Sequence, residues 1–282
     1  MKAHLEVCPN RGVKWALLLL VLCLPQAMHA QWKASVGAQS KDLGRQALAF
    51  LPNEMWIHEG ESITWTFEPD EIHTVSFLQA GQTRLPFQVG CPGVTVNSAS
   101  FDGSTCVTTP PLVKGQTFTV QFPLRGNYKL VCLVDENMTG VVHVLEPAAK
   151  LPLSQQDYDD LAAKESTKLL ADVDKDQKEN SAHHHSANGV KAGIGEVVAT
   201  AGGSQTLSVM RFLNDMIVIH VGETAEWTNQ DPVTPHTITF GTDPLNPLPP
   251  SGHVTTDADG VLHATIASVC DSVHSGFVVA AP

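Results

Sequence analysis

The sequence predicts an all-β chain: two tandem Greek-key β-sandwiches, the second truncated, joined by a short acidic helical linker. Three observations predict it. Eight short β-prone runs, separated by Gly, Pro and Asp, fill residues 32–147. The segment Phe50-Leu-Pro-Asn-Glu-Met-Trp-Ile-His-Glu-Gly-Glu-Ser-Ile-Thr-Trp-Thr66 returns at a constant offset of 162 residues as Phe212-Leu-Asn-Asp-Met-Ile-Val-Ile-His-Val-Gly-Glu-Thr-Ala-Glu-Trp-Thr228. Two copies so far apart are tandem domains, not a short-period solenoid. The composition, 43% apolar and 16% charged over 282 residues, supplies cores for two domains and excludes a disordered chain.

In chain order, residues 1–30 read as a secretory signal peptide. Lys2, Arg11 and Lys14 precede the unbroken apolar run Trp15–Leu24, and Ala30 ends the segment. Met28 stands where a small residue is usual, so the cleavage position stays open, and Cys23 leaves a lipoprotein alternative. The run is too short to span a bilayer, and no later stretch approaches the roughly 18 apolar residues required. The expected location is therefore periplasmic or secreted. Lys plus Arg number 17 against 29 Asp plus Glu. That balance, without any basic run interleaved with aromatics, excludes nucleic acid as a partner.

The first sandwich occupies 31–147, with runs at 32–38, 45–50, 55–59, 62–67, 73–78, 116–122, 127–133 and 140–146. Alternation is clear in Ser62-Ile-Thr-Trp-Thr-Phe67 and Thr117-Phe-Thr-Val-Gln-Phe122. Residues 148–195 form the linker. Ser154-Gln-Gln-Asp157 is a capping box opening a polar, acidic helix through about Lys175, followed by a flexible stretch with His183, His184 and His185. The second sandwich takes 196–282.

The chemistry concentrates in Gly126-Asn-Tyr-Lys-Leu-Val-Cys-Leu-Val-Asp-Glu-Asn-Met-Thr-Gly140. Alternation puts Tyr128, Leu130 and Cys132 on one strand face, and the chain returns through Gly140-Val-Val-His-Val144. A thiol with a thioether six residues on, at one end of a sandwich, favours a soft metal such as copper. The missing imidazole is His73, at the head of the run His73-Thr-Val-Ser-Phe77. Taken alone, Cys132 reads as a small buried hydrophobe and Met138 as core packing. Cys91 and Cys106 bracket a Ser/Thr/Gly loop without a core of its own, which a disulfide would stabilise. His58 and His220 recur before a Gly turn and read as structural or exposed.

These residues resemble the cupredoxins, the type 1 copper proteins of the plastocyanin, pseudoazurin and amicyanin kind. The resemblance covers about 32–147, and its first half returns at 205–240. It implies a single copper cofactor held by His73, Cys132 and an axial Met138, with one-electron transfer to a redox partner protein, a basic one in view of this chain's acidity. The family's second histidine is replaced: three residues after Cys132 stands Asp135. Three readings stay open. Asp135 ligates copper in an altered centre, the site is degenerate and the fold alone is kept, or another imidazole such as His143 substitutes.

In the second copy His236 takes the place of His73, and His236-Thr-Ile-Thr-Phe240 matches His73-Thr-Val-Ser-Phe77. No Gly-x-Tyr-x-x-x-Cys strand follows. His274-Ser-Gly-Phe-Val-Val echoes Met138-Thr-Gly-Val-Val, so an atypical site of His236, Cys270 and His274 is the alternative to truncation. Truncation predicts an exposed β edge. An oxidase would need a His-Cys-His run and paired His-x-His motifs, which are absent. The expectation is no enzyme, with copper storage or a structural sandwich as alternatives to electron transfer.

Overall fold

The computed structural model describes residues 30–86, 91, 93–95, 97–182, 188–214, 216–246 and 249–280, with the backbone alone over 173–182. Residues 1–29, which the sequence reading assigns to a signal peptide, and the triplet His183–His185 lie outside the described residues. The first eleven strands are β1 (Gln31–Gln39), β2 (Arg45–Leu51), β3 (Glu54–His58), β4 (Ser62–Phe67), β5 (Ser76–Phe77), β6 (Gly93–Val94), β7 (Ser98–Ser100), β8 (Val107–Thr108), β9 (Thr117–Gln121), β10 (Gly126–Val131) and β11 (Thr139–Leu145). One helix, α1 (Gln155–Ala182), precedes β12 (Gly189–Ala199), β13 (Ser204–Leu213), β14 (Glu226–Gln230), β15 (Thr239–Phe240), β16 (Thr255–Thr256), β17 (Leu262–His263) and β18 (Val273–His274).

Two sheets face each other across the main core. One runs β14-β12-β13-β2-β1-β4-β9-β7 and the other β3-β11-β10-β5-β8-β6. The alternation in β4 sends Ile63, Trp65 and Phe67 inward, and that in β9 sends Phe118 and Val120 to meet them. Phe77 sits among Trp65, Phe101 and Phe122, with ring centroids 5.2–5.6 Å apart. These separations are those of offset or edge-on aromatic packing.

Strand β2 is buried on both faces. Leu48 and Phe50 enter the main core, while Ala47, Ala49 and Leu51 lie under α1 against Leu169. Small alanines there let the helix approach the sheet closely. The helix starts as its capping box prescribes: Ser154 N–H donates to Asp157 Oδ2 at 2.8 Å, and Asp157 N–H donates to Ser154 Oγ at 3.3 Å. It is longer than the sequence indicates, running to Ala182, and it is docked as well as solvated. Tyr158 is fully buried, and its hydroxyl accepts from Trp56 N–H at 2.7 Å and donates to Trp56 O at 3.1 Å.

Strand β12 begins at Gly189, inside the stretch expected to be linker. It pairs antiparallel with β13 and parallel with β14, as β1 does with β2 and β4. Both β1 and β12 shift register around a glycine of positive φ, Gly37 in the first and Gly193 in the second. The halves meet edge to edge through β2 and β13, with Ala47 opposite Leu207, Gln46 opposite Ser208 and Arg45 opposite Val209. Under the sequence offset, Gln46 and Ser208 are equivalents, so this pairing has a local two-fold axis between them.

The register of β18 corrects one expectation. Thr239 faces His274, Phe240 faces Val273, and His236 bridges to Val278. In the first half Ser76 faces Thr108, Phe77 faces Val107, and His73 bridges to Leu112. Residues 273–278 therefore stand where β8 and its extension stand, and the echo of Met138-Thr-Gly-Val-Val does not mark a copper-ligand loop. Among the described residues no strand pairs with 216–221 as β11 pairs with β3. Val218 and Val221 are exposed there, and Ile219 is 39% exposed where its equivalent Ile57 is fully buried.

Candidate metal centre

The site lies at one end of the main core, where β5 and β10 run side by side. His73 heads the β5 segment, held by reciprocal backbone hydrogen bonds with Leu112. Cys132 follows β10 directly. The loop after it is tight: Cys132 N–H donates to Met138 O at 2.9 Å and Met138 N–H donates to Asp135 O at 3.3 Å. The spacing Cys-x-x-Asp-x-x-Met thereby turns Asp135 back toward the thiol, while Met138 is fully buried in the same core cluster as Cys132.

Three ligand atoms converge. Asp135 Oδ2 accepts a hydrogen bond from His73 Nδ1 at 2.7 Å and another from Cys132 Sγ at 3.1 Å. His73, Cys132 and Asp135 are all buried, and their donor atoms lie within 4.8 Å of one another. Among the described residues this is the one His/Cys/Asp/Glu trio of that kind. The carboxylate stands between thiol and imidazole, so this is not the order of a nucleophilic triad, in which the imidazole takes the thiol proton.

Burial pushes the Cys132 thiol pKa well up, and the Asp135 charge adds to it. Two backbone amides oppose that shift: Thr74 N–H and Asp135 N–H both point at Sγ, each at 3.4 Å. A neutral thiol has little use for two amide donors, whereas a thiolate does. The chemistry of the set fits a thiophilic metal ion: thiolate, imidazole and carboxylate converge, and a thioether is buried in the same core cluster as the thiol. The carboxylate is the harder donor and departs from a trigonal His₂Cys plane.

Two residues escaped the sequence reading. Thr74 Oγ1 accepts from Leu133 N–H at 2.7 Å, tying the Cys loop to β5. Arg84 donates to Cys132 O at 3.2 Å and to Leu133 O at 2.8 Å, clamping the loop from outside. Thr74 was within reach of a sequence argument as the neighbour of His73. Arg84 lies 48 residues from Cys132 in an irregular loop and carries no pattern at all.

Other singled-out residues lie elsewhere. His143 bonds Asn127 Oδ1 at 2.7 Å and Glu54 Oε1 at 3.1 Å and stacks on Trp56, so it does not substitute for the missing imidazole. Cys91 and Cys106 form a disulfide with Cα atoms 5.4 Å apart, which packs against Val131 and Leu133 and is not part of the trio. His58 Nε2 meets Ala149 O at 2.9 Å, and His220 is exposed. His236 does not meet Cys270 and His274 in a metal-binding trio: Cys270 is exposed, and His274 Nδ1 bonds Thr239 Oγ1 at 2.8 Å.

No family model matches the chain. The chain is similar to plastocyanin of Ginkgo biloba, at 29% identity over 99 residues that cover 34% of this chain and 88% of that protein. A copper-containing nitrite reductase from Thermus scotoductus aligns with TM-score 0.26 and 18% identity over 42% of this chain and 23% of that one. A pseudoazurin from Hyphomicrobium denitrificans gives TM-score 0.26 and 14% identity over 48% of this chain and 98% of its own. The layered strand order makes an all-β sandwich, and a third of the chain is similar in sequence to plastocyanin. Among the described residues no helix is long and apolar enough to cross a membrane.

Proposed function

We propose that this is an exported copper-binding protein that transfers single electrons through a type 1-like centre built from His73, Cys132, Asp135 and Met138. The observation that carries the reading is the convergence of His73 Nδ1, Cys132 Sγ and Asp135 Oδ2 in a buried end of the sandwich, beside a buried Met138. Copper bound there would supply one-electron exchange between two oxidation states. His73 is held by Leu112, Cys132 by Met138 and the two amides, and the loop by Arg84. A scaffold so braced keeps its donors in place whichever charge the ion carries, which is what fast electron exchange requires.

In this reading residues 1–30 direct export, residues 189–280 are a second copy of the same sandwich, and the chain has no enzymatic role. Its partner is a redox protein with a basic surface, matching an acidic chain. Copper storage is the second reading. It is favoured by Asp135, because a hard carboxylate donor would stabilise the divalent ion over the monovalent one. The test is the visible spectrum of the full chain with one equivalent of copper. An intense thiolate-to-copper band, lost in Cys132→Ser, supports electron transfer. Tight copper binding without that band supports storage, and no copper binding at all overturns both.

A further inference from the structure

We infer a second cation site, at His236 and Asp231, that is chemically distinct from the first. Asp231 opens the loop before β15 and is buried to its tip. Its Oδ1 accepts from Val233 N–H at 3.0 Å and Thr234 N–H at 2.9 Å, which fixes the carboxylate plane. Its Oδ2 has no exposure and no hydrogen-bond partner. The atom facing it is His236 Nε2, also buried and also without a hydrogen bond, at 3.6 Å.

That distance is informative. It is too long for a hydrogen bond between the two atoms. Leaving a buried carboxylate oxygen and a buried ring nitrogen both unsatisfied costs roughly 1–3 kcal/mol for each. Two donors that each sit ~2.0–2.2 Å from a shared divalent ion, at a near-tetrahedral to trigonal angle, lie about 3.5 Å apart. The gap thus has the size of an N–metal–O bridge.

The backbone makes room for the ring. Gly193 has φ +108°, and a side chain there would collide with His236 Nε2 and Cε1. Gly195 is packed equally closely on Asp231, where a Cβ would come within 2.9 Å of Oδ1. His236 keeps 14% side-chain exposure while Asp231 keeps none, and the two facing atoms are themselves shielded from solvent.

The donor set is an imidazole and a carboxylate with no sulfur. Such a pair suits a borderline divalent ion, Zn²⁺ or Co²⁺. Nothing here involves Cys270 or His274. The site uses Nε2 of its histidine, whereas the first centre uses Nδ1.

The test uses the full chain, freed of metal with chelator and kept reduced. Equilibrium dialysis against Zn²⁺ should find one equivalent fewer bound in His236→Gln than in the parent, and likewise in Asp231→Asn. Loaded with Co²⁺, both variants should keep any thiolate-to-cobalt band of the parent, since that band reports Cys132. Failure of the electron-transfer reading therefore leaves this result standing, and the reverse also holds. In the unmutated protein, Zn²⁺ should shift the His236 imidazole resonances in NMR, a readout that does not depend on a variant folding. Equal zinc stoichiometry in parent and folded variants overturns the site. So does an unmoved His236 resonance, which would leave the pair as a water-bridged or simple ion pair.

Discussion

Asp135→His tests the centre most directly, because it acts in opposite directions on the metal-free and the copper-loaded protein. Without metal, Asp135 Oδ2 is the shared acceptor for His73 Nδ1–H at 2.7 Å and Cys132 Sγ–H at 3.1 Å. An imidazole at that position offers one lone pair, so at least one buried donor is left unsatisfied, at a cost of about 1–3 kcal/mol. With copper bound, His73 Nδ1 and Cys132 Sγ present lone pairs to the ion and need no acceptor, so the deficit disappears. The lost stability therefore returns as affinity, roughly 5- to 150-fold at 1.4 kcal/mol per tenfold, before any gain from a His₂Cys plane. Urea unfolding under anaerobic conditions, with and without one equivalent of copper, measures both halves. The variant should unfold earlier than the parent when metal-free, bind copper more tightly, and gain or strengthen a visible charge-transfer band. A metal-free variant as stable as the parent, with no band on copper addition, would show that Asp135 does not sit where these distances place it.

Other perturbations reach the supports of the site and the rest of the fold. Replacing both Cys91 and Cys106 by serine should lower unfolding stability by about 3 kcal/mol, from loop-closure entropy across 15 residues, and leave any copper band unmoved. Arg84→Ala removes donors from two carbonyls of the ligand loop and should cost about 1.5–3 kcal/mol in urea unfolding and broaden the band. The Ala149 carbonyl, followed by Glu61, raises the His58 pKa. That stabilisation is complete below the unfolded value near 6.5 and is lost as pH rises through the higher folded one, so His58→Gln should flatten stability against pH across that window. Amides of 216–221 should exchange with deuterium faster than those of β3, whose partner strand β11 protects them, and equal rates would mean the second half is closed by contacts absent here.

Much of this architecture is legible because period-two patterning decides strands that are buried on one face. Strands β1, β3, β4 and β9 to β11 all fall in runs where apolar and polar residues alternate or β-branched residues cluster. Cys132 and Met138 are legible from the Gly-x-Tyr-x-x-x-Cys strand and its short return loop and His73 from the strand it heads, whereas Asp135 stands out only against the family resemblance and as one of three open readings. Strands β6 to β8 were not legible, since each has two or three residues, rich in Gly, Ser and Thr, that become strand only through their partners. In β2 the run Gln-Ala-Leu-Ala-Phe-Leu shows no alternation in polarity because α1 covers its outer face, and the docking of α1 depends on Tyr158 and Leu169 meeting a sheet that its own sequence does not describe. The identity match of His274-Ser-Gly-Phe-Val-Val to the Cys loop misleads for a related reason. Strand placement follows hydrogen-bond register, and the pairing of Val273 with Phe240 puts that segment at the position of β8, three strands along the sheet from β11 where its look-alike lies.

The two histidines at matching positions, His73 and His236, show how one backbone device serves two donor sets. Each stands ahead of a short strand, and each ring is packed against a left-handed glycine in a register shift, Gly37 for His73 and Gly193 for His236. A side chain at Gly193 would collide with the His236 ring, and one at Gly37 would meet Pro69 first and then the His73 ring, so the backbone helps to set where each imidazole goes. What differs is the neighbour supplied next to it. Around His73 it is the loop after β10, with a thiol, a carboxylate and a thioether. Around His236 it is the turn at Asp231, with a carboxylate alone. Softness is therefore set by the loop and position by the bulge. Gly37→Ala and Gly193→Ala should each displace one imidazole while leaving the other half's histidine where it was.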